Sequence, residues 1–229
     1  SGLVSMATRP AHVAGALARQ PEVMVSGIVS GQELEPLLDK PSILIVGPGL
    51  GRSPWSEQLL QKAVATGLPM VVDADALNII AEGRVVSQPN GSGWVMTPHP
   101  AEAARLLNIS VQDVQADRFS AVRQLQEKYN AVVLLKGAGT LIAAPGDEII
   151  AVCPYGNPGM ATGGMGDVLS GIIGALLAQG LEPKLAAQLG CSLHSAAADM
   201  AVEDQGMHGL TATDVLAYLR KLLNGELAG

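Results

Sequence analysis

Short runs of β-branched and aliphatic residues recur along the chain at Leu3 to Ala7, Val23 to Val25, Ser42 to Val46, Met70 to Val72, Trp94 to Met96 and Val132 to Leu135. The intervals between and after them hold segments with helical spacing or helix-start residues: Pro54 to Thr66, Pro100 to Asn108, Val111 to Tyr129, Pro183 to Asp204 and Thr213 to Leu223. Such alternation predicts an α/β fold on a doubly wound, mostly parallel sheet. Pro145-Gly146-Asp147, between Thr140 to Ala144 and Glu148 to Val152, instead predicts the turn of a β-hairpin, so the sheet should become antiparallel at one side. Val168 to Ala178 is almost wholly apolar or small and is followed by Gly180, which predicts a buried helix with a glycine stop. No repeat or linker divides the chain, and a single domain over 1–229 is expected.

Composition narrows the core and the partners. With 48% hydrophobic residues but one Phe, two Trp and three Tyr among 229, the core must be aliphatic. A net charge of −7 argues against nucleic acid as the main partner, although local N–H groups and a few cations can still hold a small anion. Cys153 and Cys191 lack metal-ligand spacing and read as ordinary thiols of a reducing compartment. There is no apolar run of about 18 residues and no basic-then-apolar leader, so neither a membrane span nor a signal peptide is supported, and the cytoplasm is the expected location.

Candidate chemistry gathers at the predicted strand ends, where open α/β sheets bind ligands. The most informative stretch is Asn157-Pro158-Gly159-Met160-Ala161-Thr162-Gly163-Gly164-Met165-Gly166-Asp167, a glycine-dense loop with one carboxylate that runs into the apolar helix. Free N–H groups and the positive end of the helix dipole favour an anion there, and Asp167 beside an anion makes sense if it handles a proton or a metal. The simpler reading is a glycine turn with an acidic helix cap.

Gly47-Pro48-Gly49-Leu50-Gly51 fits neither the dinucleotide fingerprint nor the P-loop, and is a tight turn or a ligand contact. Asp73-Ala74-Asp75-Ala76-Leu77-Asn78 places two carboxylates beyond a strand, where Mg²⁺, a hydroxyl-rich substrate or helix capping would explain them. In Thr97-Pro98-His99-Pro100-Ala101-Glu102 a helix starts at Pro100, and His99 is a substrate contact or a loop histidine. Lys136-Gly137-Ala138-Gly139-Thr140 suits a nucleotide phosphate or ribose, or else is a strand-to-hairpin turn with a snorkelling Lys. Nucleophile-elbow and HExxH motifs do not occur.

Taken together and in order, GPGLG, DADALN, TPHPAEAARLL, LLKGAGT and NPGMATGGMGD resemble the ADP/ATP-dependent NAD(P)H-hydrate dehydratase family of the ribokinase-like superfamily, from the first residues to about Leu219. The resemblance implies a ribokinase-like three-layer α/β/α fold. It implies repair of hydrated NADH or NADPH, in which water has added across a nicotinamide ring double bond. The nucleotide would phosphorylate the ring hydroxyl, and phosphate would then leave. By the same resemblance Asp167 is the base and a substrate contact, Gly163, Gly164 and Gly166 form the anion hole, and Lys136, Gly137, Ala138, Gly139, Thr140 and Gly166 bind nucleotide. Gly49, Gly51 and His99 hold the hydrated dinucleotide, with Asp73 and Asn78 as weaker candidates. The resemblance implies ADP, as in bacterial members, or else ATP as co-substrate, with Mg²⁺ accompanying the nucleotide but no dedicated metal ligand. It also implies a homo-oligomer, expected to be a tetramer, and a fused or separate epimerase domain. A ribokinase-like kinase of a vitamin-precursor alcohol and a non-catalytic nucleotide-binding module are the alternatives.

Two departures from the family pattern carry expectations. Ala101 stands where Gly is common, which is harmless only if φ there is negative. Family members usually have a further βα unit before the strand at Leu3, so a first βα unit is expected to be missing, leaving an unpaired sheet edge and a substrate site short of one wall.

Overall fold

A computed structural model describes residues 2–86 and 89–225. Of the domain expected over 1–229, residues 1, 87–88 and 226–229 lie outside the described residues. The chain opens with β1 (Ser5–Thr8), α1 (Val13–Arg19), β2 (Met24–Gly27) and α2 (Gly31–Leu34), in which β1 and β2 pair in parallel as a separate two-stranded sheet. Then follow β3 (Leu44–Val46), α3 (Pro54–Ala65), β4 (Met70–Val72), α4 (Ala74–Glu82), β5 (Trp94–Met96), α5 (Pro100–Leu107), α6 (Val111–Ala116), α7 (Arg118–Tyr129) and β6 (Val132–Leu135). The hairpin of β7 (Thr140–Ala143) and β8 (Ala151–Cys153) comes next, and α8 (Met165–Ala178), α9 (Pro183–Gln205) and α10 (Asp214–Leu223) close the chain.

Among the described residues the main sheet has six strands in sequence order, β3 to β8. The pairs from β3 to β6 are parallel, and those from β6 to β8 are antiparallel, as the Pro-Gly-Asp turn predicts. Strand order never reverses among these strands, so the second face is covered not by crossover helices but by α8 and α9. Alternation along the strands sorts the core: Met70, Val72, Trp94, Met96, Val133 and Leu135 face one cluster with α4, α5 and α7. Val71, Val95, Val132 and Leu134 face the other, with α8 and α9. These central strands are buried on both faces, which is why they read as continuous apolar runs.

Among the boundaries that differ from expectation, two have a local cause. The helix predicted over Val111 to Tyr129 breaks at Asp117 (φ −144°, ψ 84°), whose carboxylate accepts from the Ser120 amide at 2.9 Å and starts α7 afresh. The second hairpin strand begins at Ala151, not Glu148, because the Arg123 guanidinium donates to the carbonyls of Asp147 at 2.7 Å and Glu148 at 2.9 Å and holds them off the ladder. Residues 74–82 form α4, the helix that the capping reading of Asp73 and Asp75 allows for. Among the described residues strand β3 is an outer strand of the main sheet, with Ile45 42% exposed.

Candidate active site

Gly47, Asp73, Thr97 and Lys136 each follow directly on the last residue of β3, β4, β5 and β6. Backbone bonds carry the ladder one step past the strands: the Asp73 amide donates to Val46 O, Thr97 to Val72 O, and Lys136 to Pro98 O. Four turns far apart in sequence therefore meet on one rim. Their approach is close enough that a Cβ on Gly47 (φ +128°) would lie 1.7 Å from the Asp73 carbonyl oxygen.

Asp73 sits at the centre with 1% exposure. It occupies the N-cap position of α4 without capping it. Instead Oδ1 accepts from Lys136 Nζ at 2.9 Å and Oδ2 from Ser170 Oγ at 2.8 Å. A carboxylate this deep needs such partners, because each oxygen has lost its water. The following residue, Ala74, lies in the left-handed region at φ +47°, a strained turn that accompanies this placement. Asn78 does not reach the centre; its amide donates to Ala74 O at 3.2 Å and accepts from Arg105 Nη1 at 2.8 Å, which ties α4 to α5.

The substrate-loop candidate His99 is the N-cap of α5. Its Nδ1 accepts the Ala101 and Glu102 amides at 3.1 and 3.4 Å, so Nε2 carries the proton and faces Glu102 Oε1 at 3.4 Å. Burial first, then Lys136 and Arg105, hold its pKa below the usual value, and the ring is neutral at pH 7. Glu102 is buried; Oε2 accepts the His99 amide at 2.8 Å and lies 3.8 Å from Lys136 Nζ. Burial raises its pKa, with Lys136 opposing.

Asp167 lies exposed in the first turn of α8. Desolvation by its surroundings and the nearby Asp73 carboxylate raise its pKa, against the pull of Lys136. Gly164 (φ +87°) is the N-cap, and no side chain among the described residues caps the helix, which leaves first-turn amides open to an anion. A Cβ on Gly166 would lie 3.2 Å from Lys136 Nζ and 3.6 Å from Asp73 Oδ2, so the pair packs directly beneath that turn. Around Gly49 (φ +63°) and Gly163 a Cβ would meet nothing within 4 Å, and both turns border open space.

The residues that shape these turns come from elsewhere in the chain. Arg118, at the start of α7, donates from Nη1 to Ala138 O at 2.7 Å and from Nη2 to Leu135 O at 3.3 Å, gripping the Gly137–Gly139 turn. Thr140 Oγ1 closes that turn on Gly137 O at 3.1 Å. Asp199, on α9, accepts the Gly156 amide and the Asn157 side-chain amide, both at 2.8 Å, and pins the start of the glycine-rich loop. Sequence reading did not single out Ser170, Arg118 or Asp199. Ser170 left a signal, since it and Asp167 are the only polar side chains of α8 and stand three apart on one face.

The model of the NAD(P)H-hydrate dehydratase family matches residues 1–221. The chain belongs to that family. It is 52% identical over 226 residues to the bifunctional NAD(P)H-hydrate repair enzyme Nnr of Coxiella burnetii, covering 98% of this chain and 45% of that protein. It is 47% identical over 186 residues to the ADP-dependent (S)-NAD(P)H-hydrate dehydratase of Neisseria meningitidis, covering 79% of this chain and 62% of that protein. The chain thus spans about half the length of the curated relatives it matches. Its fold is similar to that of a ribokinase-like superfamily protein from Enterococcus faecalis, with a TM-score of 0.81, 27% identity and coverage of 97% of this chain and 77% of that one. It is also similar in fold to the ADP/ATP-dependent NAD(P)H-hydrate dehydratase of Bacillus subtilis co-crystallised with ATP/Mg²⁺, with a TM-score of 0.83, 23% identity and coverage of 98% and 79%.

Within this dehydratase frame, Ala101 is accommodated as expected. It is a helical residue of α5 with negative φ, so its methyl adds no backbone strain. Among the described residues no helix is long and apolar enough to cross a membrane, and no cluster of three or more His, Cys, Asp or Glu could hold a metal ion.

Proposed function

We propose that this chain carries ADP-dependent (S)-NAD(P)H-hydrate dehydratase activity, with Asp167 as base. The observation that supports it most is the convergence of an exposed carboxylate, an uncapped glycine-rich helix start and the Lys136 strand end on one rim. Asp167, ionised, takes the proton of the ring hydroxyl as that oxygen attacks the terminal phosphorus of ADP, and AMP leaves. The amides around Gly163, Gly164 and Gly166 receive the charge that moves onto the phosphoryl oxygens. The ring nitrogen lone pair then expels phosphate, a far better leaving group than hydroxide, and loss of the neighbouring C–H proton restores the double bond.

In this reading Gly49, Gly51 and His99 hold the hydrated dinucleotide, and the Gly137–Thr140 turn holds the nucleotide. Both Asp73 oxygens are already engaged, so Asp73 acts through Lys136 and Ser170 rather than by touching substrate. Among the described residues no cluster of His, Cys, Asp or Glu makes a metal cage, so Mg²⁺ would arrive on the nucleotide phosphates. The reading also carries a cytoplasmic location, a homotetramer, and a functional link to epimerase chemistry, the last supported by the bifunctional relatives.

The test is absorbance at 340 nm when the chain, Mg²⁺ and ADP meet hydrated NADH, with ATP and nucleotide-free reactions alongside. A nucleotide-dependent rise is expected, and Asp167→Asn should cut it by about 10²–10⁴-fold while nucleotide binding survives. Persistence of the full rate in that variant would remove Asp167 as the base.

A further inference from the structure

Lys136 opens the segment expected to bind nucleotide, yet its ammonium points into the centre of the rim. One contact is the Asp73 carboxylate at 2.9 Å, a second is Glu102 at 3.8 Å, and the α8 first turn at Gly166 lies against it. We propose that Lys136 is a positioning residue for the base helix, not a nucleotide ligand, and that Arg118 is the cation serving the nucleotide turn. This deepens the dehydratase reading and rests on it for the catalytic half.

Three observations carry the assignment. First, Asp73 is 1% exposed and its other oxygen is held only by a neutral hydroxyl, so swinging Lys136 out to a phosphate would strand a buried carboxylate. Second, the Lys136 side chain joins three separately folded walls: Asp73 at the end of β4, Glu102 with His99 on α5, and the turn bearing Asp167. A single ammonium thereby sets the spacing of the substrate loop, the base and the anion turn. Third, the nucleotide turn has a cation of its own. The Arg118 guanidinium touches Ala138 and Leu135 carbonyls, and a Cβ on Gly137 (φ +147°) would lie 2.9 Å from its Nη2. Those carbonyls use two of five N–H groups, which leaves donors at a partly exposed guanidinium for phosphate oxygens.

The two cations should separate in measurement. Lys136→Met should bind ADP within about threefold of wild type by calorimetry and lose about 100-fold in kcat, the scale of a misplaced base. Its kcat acid limb should also move to higher pH, because Asp167 keeps the repulsion of Asp73 and loses the ammonium. The other charged or titratable groups around the rim are Glu102, neutral His99 and Arg105, with Arg118 on the adjoining turn. Arg118→Met should weaken ADP binding by tenfold or more by calorimetry, without the shift of the kcat acid limb expected of Lys136→Met.

The reverse pattern, ADP affinity lost in Lys136→Met and kept in Arg118→Met, would overturn the proposal. Should Lys136→Met not fold, Ser170→Ala removes only the 2.8 Å bond to Asp73 and decides the same question. A several-fold lower kcat at unchanged ADP affinity supports a positioning centre, whereas wild-type kcat or weakened ADP binding counts against it. A wild type that binds ADP but leaves hydrated NADH untouched would sink the dehydratase reading, and the calorimetric comparison would still assign the two cations.

Discussion

The centre of the rim and the glycine turns around it are built on opposite plans. At the centre, buried side chains satisfy one another: Asp73, Lys136, Ser170 and Glu102 leave little unpaired. In the turns at Gly49–Gly51, Gly137–Gly139 and Gly156–Gly164 the backbone faces the open side, and side chains from remote elements hold it. Asp75 accepts the Gly51 amide at 2.8 Å, Arg118 grips Ala138, and Asp199 grips Gly156. The difference teaches how the labour is divided. The centre fixes charge and spacing at high cost if any member is lost, while the turns offer amides whose shape can be tuned from behind.

The sharpest way to break this contrast is to force the two plans apart. Gly47→Ala drives a methyl into the Asp73 carbonyl at a φ that side chains rarely adopt, so β3 and β4 must separate where the centre is tied. A loss of stability above about 3 kcal/mol is expected from denaturant midpoints, in the range of strained backbone plus a broken buried network. A loss under about 1 kcal/mol would show that the rim is loosely held.

Asp199→Ala tests a turn from behind. Two donors, the Gly156 amide and the Asn157 side chain, lose their acceptor, and a loss of about 1–3 kcal/mol is expected. The accompanying sign should be faster hydrogen exchange at Gly156 and Gly159, since Asn157 Oδ1 accepts the Gly159 amide at 3.0 Å only while Asn157 is itself held. Exchange unchanged at both amides would mean the loop keeps its shape without α9.

This division also explains what the sequence disclosed. Strands β4, β5 and β6 were legible to the residue, because strands buried on both faces are unbroken apolar runs that end where the polar rim begins. The turn glycines were legible because positive φ and close approach demand them. What stayed hidden is long-range. Arg118 and Asp199 lie 20 and 43 residues from the groups they hold, and Asp75, visible as a carboxylate, gave no sign of its partner, the Gly51 amide 24 residues away. Lys136 was visible, but its direction was not, since only the fold brings Asp73 within 2.9 Å across 63 residues. The break at Asp117 escaped periodicity because α6 and α7 both keep a helical pattern on either side of it.

A milder change sharpens the contrast at the seam between the two plans. Ala74 holds φ +47° beside the tied carboxylate, and Ala74→Gly removes the side-chain penalty of that conformation. Stability should rise by about 1 kcal/mol or less, offset in part by the greater freedom of glycine in the unfolded chain. A clear loss of stability would show that the methyl is needed for packing at the start of α4.

The smallest effect concerns Asp167, where function and stability should part. Its folded pKa is raised, so the fold binds its proton more tightly than the unfolded chain does. The contribution to stability is therefore complete below the ordinary carboxylate pKa and is lost as pH rises through the raised value. At pH 7 the ionised group is a net cost, reduced by its exposure to solvent. Asp167→Asn imitates the protonated state, so this variant should melt slightly above wild type at pH 7, and the gap should close as the pH falls toward the carboxylate range. In the proposed role the same group must be ionised to act as base, so turnover should fall on the acid side at a pH above that of an unperturbed aspartate. If the variant instead melts lower at pH 7, Asp167 is a stabilising cap of α8, and the simple glycine-turn reading of this loop regains its ground.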